Sequence, residues 1–410
     1  MTRGWSAPTN ILRRTVSNSF MPHRVRSSHS HLRETEFSQI PDGKSLEKLG
    51  GPLAASRLGL DPSSNRFHAP IVYHEDYSFA DWPSLHTFPM DKFARTAHAL
   101  LTTCKATYPE SSLPRPLVRQ ELDFFRPLDF GDVPRSWLSG PIDSVFVDRF
   151  LNAQLSHEEC RVIGFREQTG RTELIRRTVL EVAGTVLTSQ LACRYGIAAH
   201  VAGGTHHAHV TGGAGYTIFN DLAVATHVVT ATEPSVERVL VIDCDVHQGD
   251  GTARFSAAPD GPLHSKLYTL SLHCASNYPR LKAHSTWDVG LPDRMEDDEY
   301  MDALVRAVDV ALAAAQPDLV LYDAGVDVYR KDKLGRLHLT LDGIRRRDRW
   351  VLDRCVSARI PVAAVVGGGY DRDVDALARR HAIVHEEASY VWRKHRMWER
   401  AAPLVLTEND

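Results

Sequence analysis

The residues with the most chemistry to offer fall in a few short stretches. Asp243, Asp245 and His247 form an Asp-x-Asp-x-His run. In an extended segment alternate side chains share a face, so the three can point into one space. Carboxylates and a neutral imidazole suit Zn²⁺ or a related divalent ion. Without a cysteine in the set, iron, cobalt and manganese stay open beside zinc. An Asp and a His this close are more often a surface pair. Their position directly after an apolar run, with Asp327 at the end of another, reverses that reading. One His and two Asp leave a coordination position for water, as in a catalytic rather than a structural site.

His206-His207 is the second element, preceded by Gly203-Gly204. Adjacent histidines can be core filler or an adventitious metal site. Opposite an Asp-rich loop they read instead as a general acid–base pair acting on an activated water. Each needs an orienting carboxylate, and Asp243 and Asp250 are available for that. The third element is Gly367-Gly368-Gly369-Tyr370. The glycines let a substrate pass close to the main chain, and the Tyr370 hydroxyl can donate to a developing oxyanion. The sequence holds no G-x-x-x-x-G-K-[ST], so these glycines do not read as a phosphate cradle.

The elements that must position these residues are short apolar runs: Ile71–Tyr73, Ile197–Val201, Val239–Ile242, Leu267–Leu272, Leu319–Tyr322 and Val362–Val366. They alternate with helical patterns. One is capped by Thr172 and stopped at Gly196, another runs from about Asp297 to before Pro317, and a third runs from Thr340 to before Pro361. Strands that are apolar throughout, alternating with helices, predict an α/β fold: an open, mostly parallel sheet with helices on both faces. Ligands of such sheets bind outside the carboxyl ends of the strands. The polar clusters follow five of these strands, so they converge on one pocket.

The chain has 410 residues and a net charge of −3. Residues 1–33 hold six arginines and no acid, which leaves 42 basic against 51 acidic groups in the remainder. Bulk charge therefore gives no pull toward nucleic acid. No apolar run reaches the ~18 residues a transmembrane helix needs. Six scattered cysteines without C-x-x-C exclude a zinc ribbon or a thioredoxin-type motif. Nine of the 21 histidines lie between His200 and His284. Residues 1–35 read as a disordered or transit-peptide-like extension, suggesting a mitochondrion or plastid, with cytoplasm or nucleus as the alternative. Residues 36–66 read as linker, 67–400 as the catalytic domain and 401–410 as a tail. Residues 105–141, with six prolines, read as a surface insertion.

Taken in order, Gly203-Gly204-x-His206-His207, Asp243-x-Asp245-x-His247-Gln248-Gly249-x-Gly251, Ala324-Gly325-x-Asp327 and Gly368-Gly369-Tyr370 resemble the zinc-dependent histone deacetylases of the arginase/deacetylase superfamily. The nearer match is the class IV branch and its bacterial relatives. Its marks are His247-Gln248, Glu296-Asp297-Asp298-Glu299-Tyr300, Asp332-Lys333-Leu334-Gly335 and Gly369-Tyr370. The similarity covers roughly Ile71–Glu387 and is weakest across 100–141.

The resemblance implies a three-layer fold and one catalytic Zn²⁺ on Asp245, His247 and Asp327. It makes His206 and His207 the histidine pair, backed by Asp243 and Asp250, and Tyr370 the group that polarises the scissile carbonyl. Gly204, Gly215, Tyr216, Tyr278, Gly368 and Gly369 would wall an acyl-lysine tunnel. Both tyrosines stand where Phe is common. Asp243, Asp245 and His247, with Ser271 and Leu272, match a structural K⁺ site. The implied reaction is metal-assisted hydrolysis of acetyl, and for class IV also long fatty acyl, groups on protein lysines. Two readings stand beside it: an acetylpolyamine or other small-amide hydrolase, and a scaffold that binds acyl-lysine without cleaving it.

Overall fold

The computed structural model describes residues 53–108 and 111–401. The expectations for residues 1–35, for 36–52 and for 402–410 lie outside the described residues. Seven strands form one sheet: β1 (Ile71–Val72), β2 (Ile197–His200), β3 (Val239–Asp243), β4 (Leu267–Cys274), β5 (Trp287–Leu291), β6 (Leu319–Asp323) and β7 (Val362–Val365). Their spatial order is β1-β2-β7-β6-β3-β4-β5, and every pairing is parallel.

Val239-Leu240-Val241-Ile242 and Leu319-Val320-Leu321-Tyr322 are buried over their whole length because helices cover both faces. One layer holds α1 (Lys92–Thr102), α5 (Asp297–Ala315), α6 (Leu341–Ser357) and α7 (Val374–Lys394). The other holds α2 (Thr172–Tyr195), α3 (Asp221–Thr232) and α4 (Asp250–Ala257). This is the α/β architecture that the alternating pattern predicts.

Several boundaries differ from expectation. Thr172 is the first helical residue of α2, not its cap, and Arg171 precedes it without a capping hydrogen bond. Gly196 ends α2 at φ +84°, a conformation glycine takes without strain. Thr340 caps α6, its hydroxyl accepting from Gly343 N. The edge strand β5 escapes the pattern because Asp288 and Gly290 interrupt it; among the described residues only one of its sides has a neighbouring strand. Residues 53–66 are not a free linker. Ala55–Arg57 pairs with Arg126–Pro127, and Asn65 O accepts from Trp392 Nε1 at 2.8 Å. Order therefore begins before Phe67. Residues 105–141 are not a free surface insertion either. Phe125 exchanges backbone hydrogen bonds with Ile71 and Tyr73 at 2.9 Å, and Leu117, Val118, Phe124 and Phe125 are buried. The prolines here include Pro114 and Pro116 in a strand and Pro127 in the strand that pairs with Ala55–Arg57, while those apolar residues between them are anchored in the core. Among the described residues no helix is long and apolar enough to cross a membrane.

Three buried histidines flank the sheet: His200 at the end of β2, and His381 and His385 on α7. Burial pushes the His385 imidazole down to about 4, against ~6.5 in an unfolded chain. Between those pH values the unfolded chain takes up a proton that the native fold refuses, so stability falls as pH falls. We expect His385 alone to remove about 3 kcal/mol between pH 6.5 and 4. Urea midpoints across that range check this, and a His385→Gln variant that keeps the wild-type slope would clear this histidine of the effect.

Candidate active site

The site is assembled at the carboxyl ends of β2, β3, β6 and β7. Asp243 ends β3 and Asp323 ends β6, and the two are register partners. The chain beyond β3 is tethered from below by Arg347 of α6. Its fully buried guanidinium donates to the carbonyls of Cys244, Ala324 and Gly325 at 2.7–3.1 Å. One side chain thus ties the loop carrying Asp245 and His247 to the loop carrying Asp327.

Asp245, His247 and Asp327 offer ligand atoms that lie within 4.8 Å of one another, all buried. His247 Nδ1 is 3.0 Å from Asp245 Oδ1 and 3.1 Å from Asp327 Oδ2. The outer oxygens are taken by the main chain: Gly368 N donates to Asp245 Oδ2 at 2.8 Å, and Val246 N to Asp327 Oδ1 at 2.9 Å. That fixes both carboxylates with an oxygen facing the imidazole. A Cβ on Gly368 would collide with both carboxylates, which is why the chain passes here as glycine. Two carboxylates and an imidazole packed this closely suit a divalent cation, and three protein ligands leave a position open.

His206 and His207 sit beside this cluster with ring centroids 4.2 Å apart and planes tilted by 55°. His206 Nδ1 bonds Asp243 Oδ2 at 2.8 Å, and His207 Nδ1 bonds Asp250 Oδ1 at 2.8 Å. Their environments split the pair. Burial opposes charge on His206, but Asp243 and then Asp245 outweigh it and hold the imidazole well above its usual range. Burial, and then the charge on His206, push His207 down to about 4. The loop that carries them is anchored by Asp221 at the start of α3, which accepts from Gly204 N and Thr205 N at 3.0 and 2.7 Å.

Tyr370 is nearly buried, with its ring 6.4 Å from that of His247 and 6.0 Å from that of Tyr216. Burial, and then Asp327, keep its hydroxyl protonated well past its usual range. Its backbone N donates to Asp332 Oδ2 at 2.7 Å, and Asp332 also accepts from Leu334 N and Gly335 N.

The pocket is lined by His206, His207, Asp245, His247 and Tyr370, with Gly204, Gly215, Tyr216 and Gly368 in its walls. Tyr278 stands edge-on to His207 at 4.8 Å and is half-exposed. Gly369 faces Val326, Leu377 and His381 rather than the pocket. Ser271 lies beside Asp243 in the β3–β4 ladder, with Leu272 following, both buried. The structure thus brings the expected catalytic and ligand residues together.

Sequence reading missed Lys92 of α1 and the Arg177–Glu181 pair of α2, which line the same pocket. Lys92 Nζ donates to Gly367 O at 2.9 Å, and Arg177 bonds Glu181 at 2.8 Å. Burial, and then Arg177, lower the Lys92 amine to about 8. A charged residue inside an amphipathic helix reads as a solvated face, so no local signal marked them.

A fold of this kind places the chain among the α/β hydrolases of the arginase/deacetylase type. Residues 144–386 match the histone deacetylase domain, and the chain belongs to that family. It is 39% identical over 324 residues to an uncharacterised protein of Picosynechococcus sp., covering 79% of this chain and 99% of that one. It is 28% identical over 305 residues to Histone deacetylase 2 of Arabidopsis thaliana, covering 73% of this chain and 74% of the relative. The crystal structure of the HDA15 HD domain superposes with a TM-score of 0.59 at 21% identity, covering 79% of this chain and 89% of that one.

Proposed function

We propose that this protein is a Zn²⁺-dependent lysine deacylase of the class IV type, acting on acetylated lysine side chains of proteins. The observation that carries the reading is the convergence, in one pocket, of a three-ligand acidic cluster, two carboxylate-backed histidines and a tyrosine hydroxyl. Asp245, His247 and Asp327 would hold the zinc, and their donor types and spacing fit it. A zinc ion there would polarise the acyl carbonyl and acidify a water.

The protein's own residues do the rest. His207, neutral at working pH, takes the proton of the attacking water. His206, held charged, supplies a proton to the leaving lysine amine. The Tyr370 hydroxyl donates to the oxyanion as it develops. Gly204, Gly215, Tyr216 and Gly368 pass the lysine methylenes between them, with Tyr278 at the half-exposed edge. The Lys92 ammonium and the Arg177–Glu181 pair in the pocket wall favour an acetyl group over a long fatty chain, because an apolar tail would lie against buried charge. Asp243, Asp245, His247, Ser271 and Leu272 would hold K⁺ as a structural ion.

The test is a side-by-side panel of acetyl-lysine peptide, myristoyl-lysine peptide and free acetylpolyamine. Acetyl-peptide turnover is expected to lead. Faster turnover of the free polyamine would make the protein a small-amide hydrolase, and faster demyristoylation would reverse the assignment of acyl length. No turnover of any of them, with metal bound, would leave an acyl-lysine-binding scaffold.

A further inference from the structure

Residues 275–286 join β4 to β5, and this loop carries Tyr278 to the edge of the pocket. The Tyr278 ring stands edge-on to that of His207 at 4.8 Å and to that of His247 at 6.3 Å. A Cβ on Gly215 would come within 3.2 Å of it. Much of the loop tip faces water: Tyr278 is half-exposed and Leu281 is 75% exposed. Among the described residues, 278–282 hydrogen-bond only within the loop. Tyr278 N donates to Asn277 Oδ1 at 2.8 Å, and Lys282 Nζ donates to Asn277 O and Pro279 O, both at 2.6 Å.

The tip therefore hangs from its two ends. At one end Asn277 Nδ2 donates to Leu334 O at 2.9 Å. At the other stands Gln248, the residue after His247, 0% exposed. Its Oε1 accepts from Ala283 N at 2.8 Å. Its Nε2 donates to Ala283 O at 3.0 Å and to Asp288 Oδ1 of β5 at 2.7 Å. Asp288 Oδ2 in turn takes Ser285 N at 2.9 Å. One side-chain amide thus engages both backbone groups of residue 283, as a neighbouring strand would. An amide suits this because it holds a donor and an acceptor in one plane, whereas an ionised carboxylate only accepts.

We propose that Gln248 is a positioning residue that clamps the 275–286 loop and so fixes Tyr278 as a rigid wall for the lysine methylenes of the substrate. The run that aims Asp245 and His247 into the pocket then also sets the pocket's outer wall. Gln248→Met keeps the side-chain volume and removes all three hydrogen bonds. Hydrogen exchange read by mass spectrometry should show the amides of 278–286 exchanging faster than in the wild type, with the other segments unchanged. This readout needs no substrate.

The kinetic readouts rest on the deacylase reading. On an acetyl-lysine peptide, Gln248→Met is expected to raise KM ~3–10-fold, the worth of one aromatic contact, with kcat and bound metal unchanged. Binding lost equally from the ground state and the transition state has that signature. Tyr278→Ala should raise KM as well, and Gln248→Met should then add nothing further, because it acts through Tyr278. Asp288→Ala removes one of the three bonds at an exposed site. It should shift exchange and KM less but in the same direction, and it carries the test if Gln248→Met does not fold. Wild-type exchange across 278–286 in the variants would overturn the proposal. So would KM effects of Gln248→Met and Tyr278→Ala that add in full, or loss of metal from Gln248→Met, which would tie Gln248 to the ligand loop instead. Faster exchange in a protein that turns over neither peptide nor polyamine would uphold the clamp and refute the deacylase reading.

Discussion

Asp327→Ala is expected to abolish amide hydrolysis and to strip the divalent ion while the protein still folds. Asp327 is 0% exposed and sets Oδ2 3.1 Å from His247 while Oδ1 takes the Val246 N–H. Removing it would delete one of three candidate ligands and leave an unpaired backbone donor, a cost of ~1–3 kcal/mol that a domain of this size can absorb. The loss of metal affinity should exceed the ~10–100-fold that outer-shell partners cost. Elemental analysis and circular dichroism, run together, decide the matter. A variant that keeps full metal occupancy would take Asp327 out of the ligand set.

Tyr370→Phe should act on the developing oxyanion and leave the metal ligands untouched. The substitution removes one hydroxyl and nothing from the Asp245–His247–Asp327 cluster, and Asp332 still holds the backbone at residue 370. Losing one oxyanion donor typically lowers kcat by ~10²–10³, about 3–4 kcal/mol. Substrate affinity should change far less, because the bond strengthens only as charge develops. A packing tyrosine would instead give a small stability loss and ordinary turnover. Measuring kcat, affinity and bound metal together separates the two. Near wild-type kcat with metal retained would force another electrophile into the mechanism.

Six of the seven strands and most of the candidate site are legible in the sequence, for two physical reasons. Strands buried on both faces are apolar throughout, so Val239–Ile242 and Leu319–Tyr322 stand out without an alignment. Parallel strands present their carboxyl ends on one side, so polar residues after each run must meet. The tertiary structure alone decided what reaches the pocket from elsewhere. Lys92 and Arg177 arrive from helices whose local pattern says nothing of a cavity, and Arg347 ties two loops together from 103 residues away from Cys244. Asp323 follows the apolar run Leu319–Tyr322. Only the packing of Gly204 and Gly367 over it shows a carboxyl that no donor reaches, because burial and partnership are properties of the assembled fold rather than of residue order.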